Sequence, residues 1–378
     1  MNRLRVLMLL CLTLSARQAM ATCGNVSNVC SFGDLSVCCG AGSICDVTGT
    51  ITLTAGATCT LDFGARTVNI LSGGAIVAGT GHATILATNV TVKGNGKLTA
   101  AGDATHVGGS MLLGTTLRPL TSFTMQNTAA VDVTGGGGLG GGIFEIVASN
   151  SIDLQSGSID ASAITAAANG GDIRLVSPAG EIKVNIKVWA RSLVGPTALG
   201  GGGSIVARAG TNLTLDNGGD LSARGGGGSG GSVDLRADGT LTLKPQSTID
   251  TGAYPSTEGD GGAVQGRGGA VDALGTITSD GGSAATTAEG GGTGGTIELE
   301  ASTGHLLVQH GTKGISADGA PGAEGGAIFL TTNAMTNPSA LPPTDGTLTV
   351  ATAMSVEGTS TVDSFGGGGG ITIQSSGD

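Results

Sequence analysis

Gly231-Ser232-Val233-Asp234-Leu235, Thr240-Leu241-Thr242-Leu243 and Ile249-Asp250-Thr251 follow one another within a single stretch of the chain. In each run a large aliphatic alternates with a small or polar residue, which is the period of a half-buried strand. Gly239 and Pro245 punctuate the links between them, and both residues favour turns over strand interiors. The stretch therefore reads as three short strands joined by tight bends.

Moving outward, the last of these runs recurs. It stands as Leu98-Thr99-Ala100, Val131-Asp132-Val133, Ile159-Asp160-Ala161, Leu221-Ser222-Ala223, Ile277-Thr278-Ser279 and Ile315-Ser316-Ala317, with Val188-Trp189-Ala190 a degenerate copy. A Gly-rich stretch follows each, and then a copy of the first run, such as Gly171-Asp172-Ile173, Ser204-Ile205-Val206 or Gly295-Thr296-Ile297-Glu298-Leu299. The middle run is repeated at Leu213-Thr214-Leu215. A unit of about thirty residues with three strands is one coil of a right-handed parallel β-helix, a β-solenoid. About ten coils at about 4.8 Å each predict a rod on the order of 50 Å long. A β-propeller would need four strands per blade.

Composition agrees with a thin, stacked core. The chain has 378 residues, of which 73 are Gly and only 2% aromatic. Gly is not placed at every third position, so collagen is excluded. With 39% hydrophobic residues and a mean hydropathy of +0.25, the chain is not simply disordered. Gly is expected to supply positive φ at sharp corners, and the narrow interior is expected to have little room for rings.

Residues 1–21 read as a secretory signal: Arg3 and Arg5, the apolar run Val6 to Leu14, and Ala19-Met20-Ala21 as the cleavage site. The run is too short to cross a bilayer, so the mature chain is expected to carry no transmembrane segment. Losing Arg3, Arg5 and Arg17 takes the net charge from −11 to about −14, which argues against nucleic acid as a partner. Cys23, Cys30, Cys38, Cys39, Cys45 and Cys59 crowd into one short segment. They predict three disulfides among fifteen pairings, in a Cys-rich N-terminal cap over residues 22–48 with Cys59 tied to it from the first coil. The Gly-rich helix then covers 49–378. Gly366 to Gly370 leads into Ile371-Thr372-Ile373, which looks like the first strand of a further unit.

The units, for example Gly295-Thr296-Ile297-Glu298-Leu299 through Leu306-Leu307-Val308 to Ile315-Ser316-Ala317-Asp318-Gly319, resemble repeats of filamentous-haemagglutinin-like exoproteins. They are also similar to Gly-rich autotransporter passengers. Both are bacterial surface β-helices, commonly adhesins. The resemblance covers about residues 125 to 378 and implies a secreted or outer-cell-surface location. It further implies partners among surface glycans, other cell-surface proteins, or copies of itself joined through an open C-terminal coil.

No motif points to a catalytic centre, and no cofactor or metal is expected. In a chain this rich in Gly, G-x-G-x-x-G arises by chance. His82, His106, His305 and His310 form no zinc or triad pattern, although His305 and His310 flank one strand. Outward Asp132, Asp160, Asp234, Asp250 and Asp272 occur singly. Stacked as Asp132 with Asp160, or Asp234 with Asp272, they offer a divalent cation two carboxylates, against the simpler reading of solvated acids. The expected function is a secreted or surface-exposed structural, adhesin-like β-solenoid without catalysis. The alternatives are a polysaccharide-active β-helix enzyme, marked by carboxylates clustered with Arg or Lys, or a piece of a longer autotransporter-like passenger.

Overall fold

In a computed structural model, residues 21–35, 39, 42–136, 139–164, 168–192, 200–255, 257–282, 291–309, 314–321, 323–332, 348–350, 354–355 and 370–375 are described. Residues 1–20 of the expected signal, Cys38 and His310 lie outside them. The described chain is nearly all strand, wound as a parallel β-solenoid with three walls per coil. The opening stretch shows the order: Ser232–Ala237 lies in wall C, Thr240–Leu243 in wall A and Thr248–Asp250 in wall B.

Wall B is a single sheet of twelve parallel strands. Every copy of the recurring run enters it in register: Leu98 faces Val131, Val131 faces Ile159, Ile159 faces Val188, and so on through Leu221, Ile249 and Ile277 to Ile315. Each of these side chains points inward and is at most 2% exposed. Burying an aliphatic side chain of this size is worth roughly 1.5–3 kcal/mol, so a one-residue slip would forfeit that term at every coil and turn the column to solvent. Wall register is therefore set by the hydrophobic period. The parallel stacking expected from the repeat is what the walls display.

The interior does admit rings. Phe63, Phe123 and Phe144 are fully buried, with Phe123 inward on wall A and Phe144 inward on wall C. The expectation of a core too narrow for aromatics fails in this N-terminal half. There the coils are less regular: the register shifts between Leu120 and Ser122, and one strand, Ile143–Leu154, runs through the corner from wall C into wall A. The buried rings thus fall in the part of the stack where the coils depart from the regular repeat.

The glycines also act differently from expectation. Among the described residues positive φ is confined to eight Gly, from Gly56 to Gly314, and to Asn28 and Asn127. The Gly-Gly pairs between walls B and C have ordinary φ and are needed for space. A Cβ on Gly231 would overlap the carbonyl oxygen of Gly203, and one on Gly203 would overlap that of Gly171. The second Gly of each pair also closes its own loop, as when Gly203 N–H donates to Ala190 O and Gly231 N–H to Ala223 O, both at 2.7 Å. The same bond recurs from Gly109 to Gly326. Between these fixed bases the loops vary from seven residues (224–230) to fifteen (280–294). Segments of different length thus leave and rejoin the stack at one corner without changing its register.

The Cys-rich segment is woven into the first coil. Ala21–Cys23 pairs with wall A and Val26–Val29 with wall B, and a 3-10 turn, Phe32–Leu35, follows. Cys30 is bridged to Cys59 on wall C, and Cys39 to Cys45; Cys23 is disulfide-bonded as well. The Cys30–Cys59 bridge ties the N-terminal segment to wall C. Gly370–Ser375 pairs with Ala327–Thr332 as a strand of wall C.

Candidate functional site

The outer surface of wall B carries small polar residues on most coils. On the side facing the loops, the position after the inward aliphatic is Thr99, Asp132, Asp160, Ser222, Asp250, Thr278 or Ser316. Coil Lys187–Trp189 breaks this rule with the chain's only Trp. The chain's only Tyr, Tyr254, lies two coils further on, at the base of a loop. A small polar residue satisfies the fold at the Trp189 position, so wall B does not require the ring.

Two arginines stand between these rings. Two residues past Trp189, beyond the end of the strand, stands Arg191, whose guanidinium lies 4.1 Å from the indole centroid; Lys187 Nζ lies 5.1 Å from it. Arg224, at the equivalent place on the next coil, lies 4.3 Å from the Tyr254 ring. Two carboxylates hold the arrangement. Asp220 accepts from Trp189 Nε1 at 2.9 Å and from Thr248 Oγ1 at 2.8 Å, and faces Arg191 Nη2 at 3.4 Å. Asp250 accepts from the Gly252 amide at 3.0 Å and pairs with Arg224 Nε at 3.3 Å, while Arg224 Nη2 donates to Ala253 O. Trp189, Arg191, Asp220, Arg224, Asp250 and Tyr254 are all half-buried, so the cluster can still be reached from solvent. Burial pushes the Asp250 carboxyl above the ordinary carboxylate value, against the pull of Arg224 and Arg191. The patch thus combines stacked cation–aromatic pairs with hydrogen-bonding carboxylates on one flat wall.

Beside it, across the loop corner, the Gly pairs leave a shallow groove of about 530 Å³ running over four coils, lined by Asn169, Asp172, Ser204, Ser232 and the Gly backbone. It offers shape and little chemistry.

The other expected sites disperse. Asp132 and Asp160 are neighbours on wall B, but each carboxylate turns to its own loop, capping the amides of Thr134 and Ser162. Asp234 and Asp272 do not stack: Asp234 lies on wall C between Arg208 and Arg236, and Asp272 on wall A beside His305 at 2.7 Å. Among the described residues no three His, Cys, Asp or Glu converge to hold a metal, and no helix is long and apolar enough to cross a membrane. Compared with family models, curated proteins and solved structures, the chain matches none of them.

Sequence reasoning passed over the Trp189 patch because Val188-Trp189-Ala190 reads as a damaged repeat. The usable signal was the large ring in a small-polar column, with Arg two residues later and again on the following coil.

Proposed function

We propose that the protein is a secreted or surface-exposed structural, adhesin-like β-solenoid that binds through its walls and loop corner without catalysis. The observation that carries this reading is the register of wall B, unbroken over the eleven strands from Thr50–Leu53 to Met354–Ser355, which makes a long surface out of one repeated contact. The bridges Cys30–Cys59 and Cys39–Cys45 favour an oxidising compartment. Similarity of the repeat to filamentous-haemagglutinin-like exoproteins supplies the adhesive half of the reading. The test is antibody labelling of intact producing cells together with small-angle scattering of the purified chain. Labelling without lysis and a rod-like scattering profile are expected; a protein reached only after lysis, or a compact particle, overturns the reading.

A second reading, a polysaccharide-active enzyme, is favoured by one specific observation: Asp220 and Asp250 lie with Arg191 and Arg224 on adjacent coils, and burial raises the Asp250 carboxyl above its ordinary value. New reducing ends released from a polysaccharide panel, and lost in Asp250→Asn, would establish it. No release from any of them leaves the non-catalytic reading standing.

A further inference from the structure

We infer that the Trp189–Tyr254 patch is a saccharide-binding subsite. This rests on reading the rod as an adhesin-like binding surface, and it assigns that surface a ligand class and a place. A pyranose ring has an apolar C–H face and a rim of hydroxyls. The first packs on flat aromatic or guanidinium surfaces, and the second needs planar groups that donate and accept. Wall B supplies both within three coils: two rings each stacked by a guanidinium, with Asp220 accepting at the edge of the Trp189 ring and Asp250 beside the Arg224 guanidinium. Asp220 already holds Arg191 and Trp189 in place, and Asp250 holds Arg224, so little side-chain freedom is lost on binding. Neighbouring coils show that the fold does not require a ring there, since Asp160 and Ser222 occupy the Trp189 position on either side. The cluster spans three coils, about 10 Å along the axis, which is room for a disaccharide lying along the rod.

Trp189 is the only Trp, so its fluorescence reports this place alone. Cellohexaose, a neutral chain, and hexagalacturonate, an acidic one, are titrated into the disulfide-bonded full chain while Trp emission is followed. A saturable change with cellohexaose assigns neutral sugars; one with hexagalacturonate only assigns acid sugars, read by the two guanidinium groups. In Arg224→Ala and Tyr254→Ala the apparent Kd rises about tenfold or more, while Tyr254→Phe, which keeps the ring, stays within about threefold. Thr52→Ala, on the same wall far from the patch, leaves the titration unchanged. The proposal is overturned if neither sugar moves the emission, or if binding survives Arg224→Ala and Tyr254→Ala intact. Scattering on the same samples separates the causes: a rod that ignores both sugars sinks the saccharide assignment alone, and a compact particle sinks the surface reading with it.

Discussion

A glycine at the loop corner is defined by what lies behind it. Gly231 has no room for a methyl group because the Gly203 carbonyl occupies that space, whereas Gly24 has nothing within 4 Å of an added Cβ. Gly231→Ala is therefore expected to lower the unfolding free energy in denaturant by about 3 kcal/mol, as overpacking of a rigid neighbour does. Gly24→Ala should change it little; equal effects from the two would show that the corner yields. Two aspartates make a matched pair of opposite sign. The Arg118 side chain donates to Asp62 and holds its carboxyl below the usual value. Its stabilisation is full above the unfolded carboxylate value, about 4, and is lost as pH falls through the lower folded value. Burial raises Asp250, so its charge weakens the fold as pH climbs from about 4 through the raised folded value. Thermal melts across pH 3–8 should show Asp62→Asn falling behind the wild type as pH rises, and Asp250→Asn gaining on it. Parallel curves for the two variants would contradict the assigned environments.

At the scale of the element, a coil consists of three strands with fixed inward positions and one corner loop with a fixed base. The strands were legible in the sequence because the column Leu98, Val131, Ile159, Leu221, Ile249 obeys the alternation that a half-buried strand requires. The use of the glycines was not, since close approach between coils depends on neighbours about thirty residues away, not on local turn chemistry. The Trp189 cluster was hidden for the same reason: its bond to Asp220 spans 31 residues and exists only once loop lengths and register are both known. Because Gly295 N–H bonds to Ser279 O and Gly292 N–H to Gly282 O, the longest loop is sealed at its base. Deleting residues 284–289 is expected to leave circular dichroism and cooperative unfolding unchanged within about 1 kcal/mol, given the slow growth of closure entropy with length. A broadened transition would show that this loop helps to hold the stack. The Cys30–Cys59 bridge behaves in the opposite way, because it ties the first turn of chain to wall C. Replacing both with Ser should cost about 2–4 kcal/mol locally. Hydrogen exchange should quicken at Thr50–Leu53 and Thr58–Asp62 but not at Ser232–Ala237. Acceleration along the whole chain would instead mean that the coils unfold as one unit.

Taken as a whole molecule, all the strands of a wall run the same way, and every coil adds the same three ladders to the one before. The hydrogen bonds between coils point along the rod axis, as the bonds between strands of a sheet do. A pull along that axis therefore loads one coil's ladders at a time, and the rod behaves as a ratcheted tether. Each yielding coil of 28 to 33 residues, the spacing between most wall B copies, would pay out roughly 100 Å of chain while its neighbours stay wound. Extension in an optical trap should advance in steps of about that size, at forces that vary from coil to coil with the buried column. If such a protein joins two surfaces under flow, it dissipates a sudden load by lengthening and rewinds when the load falls.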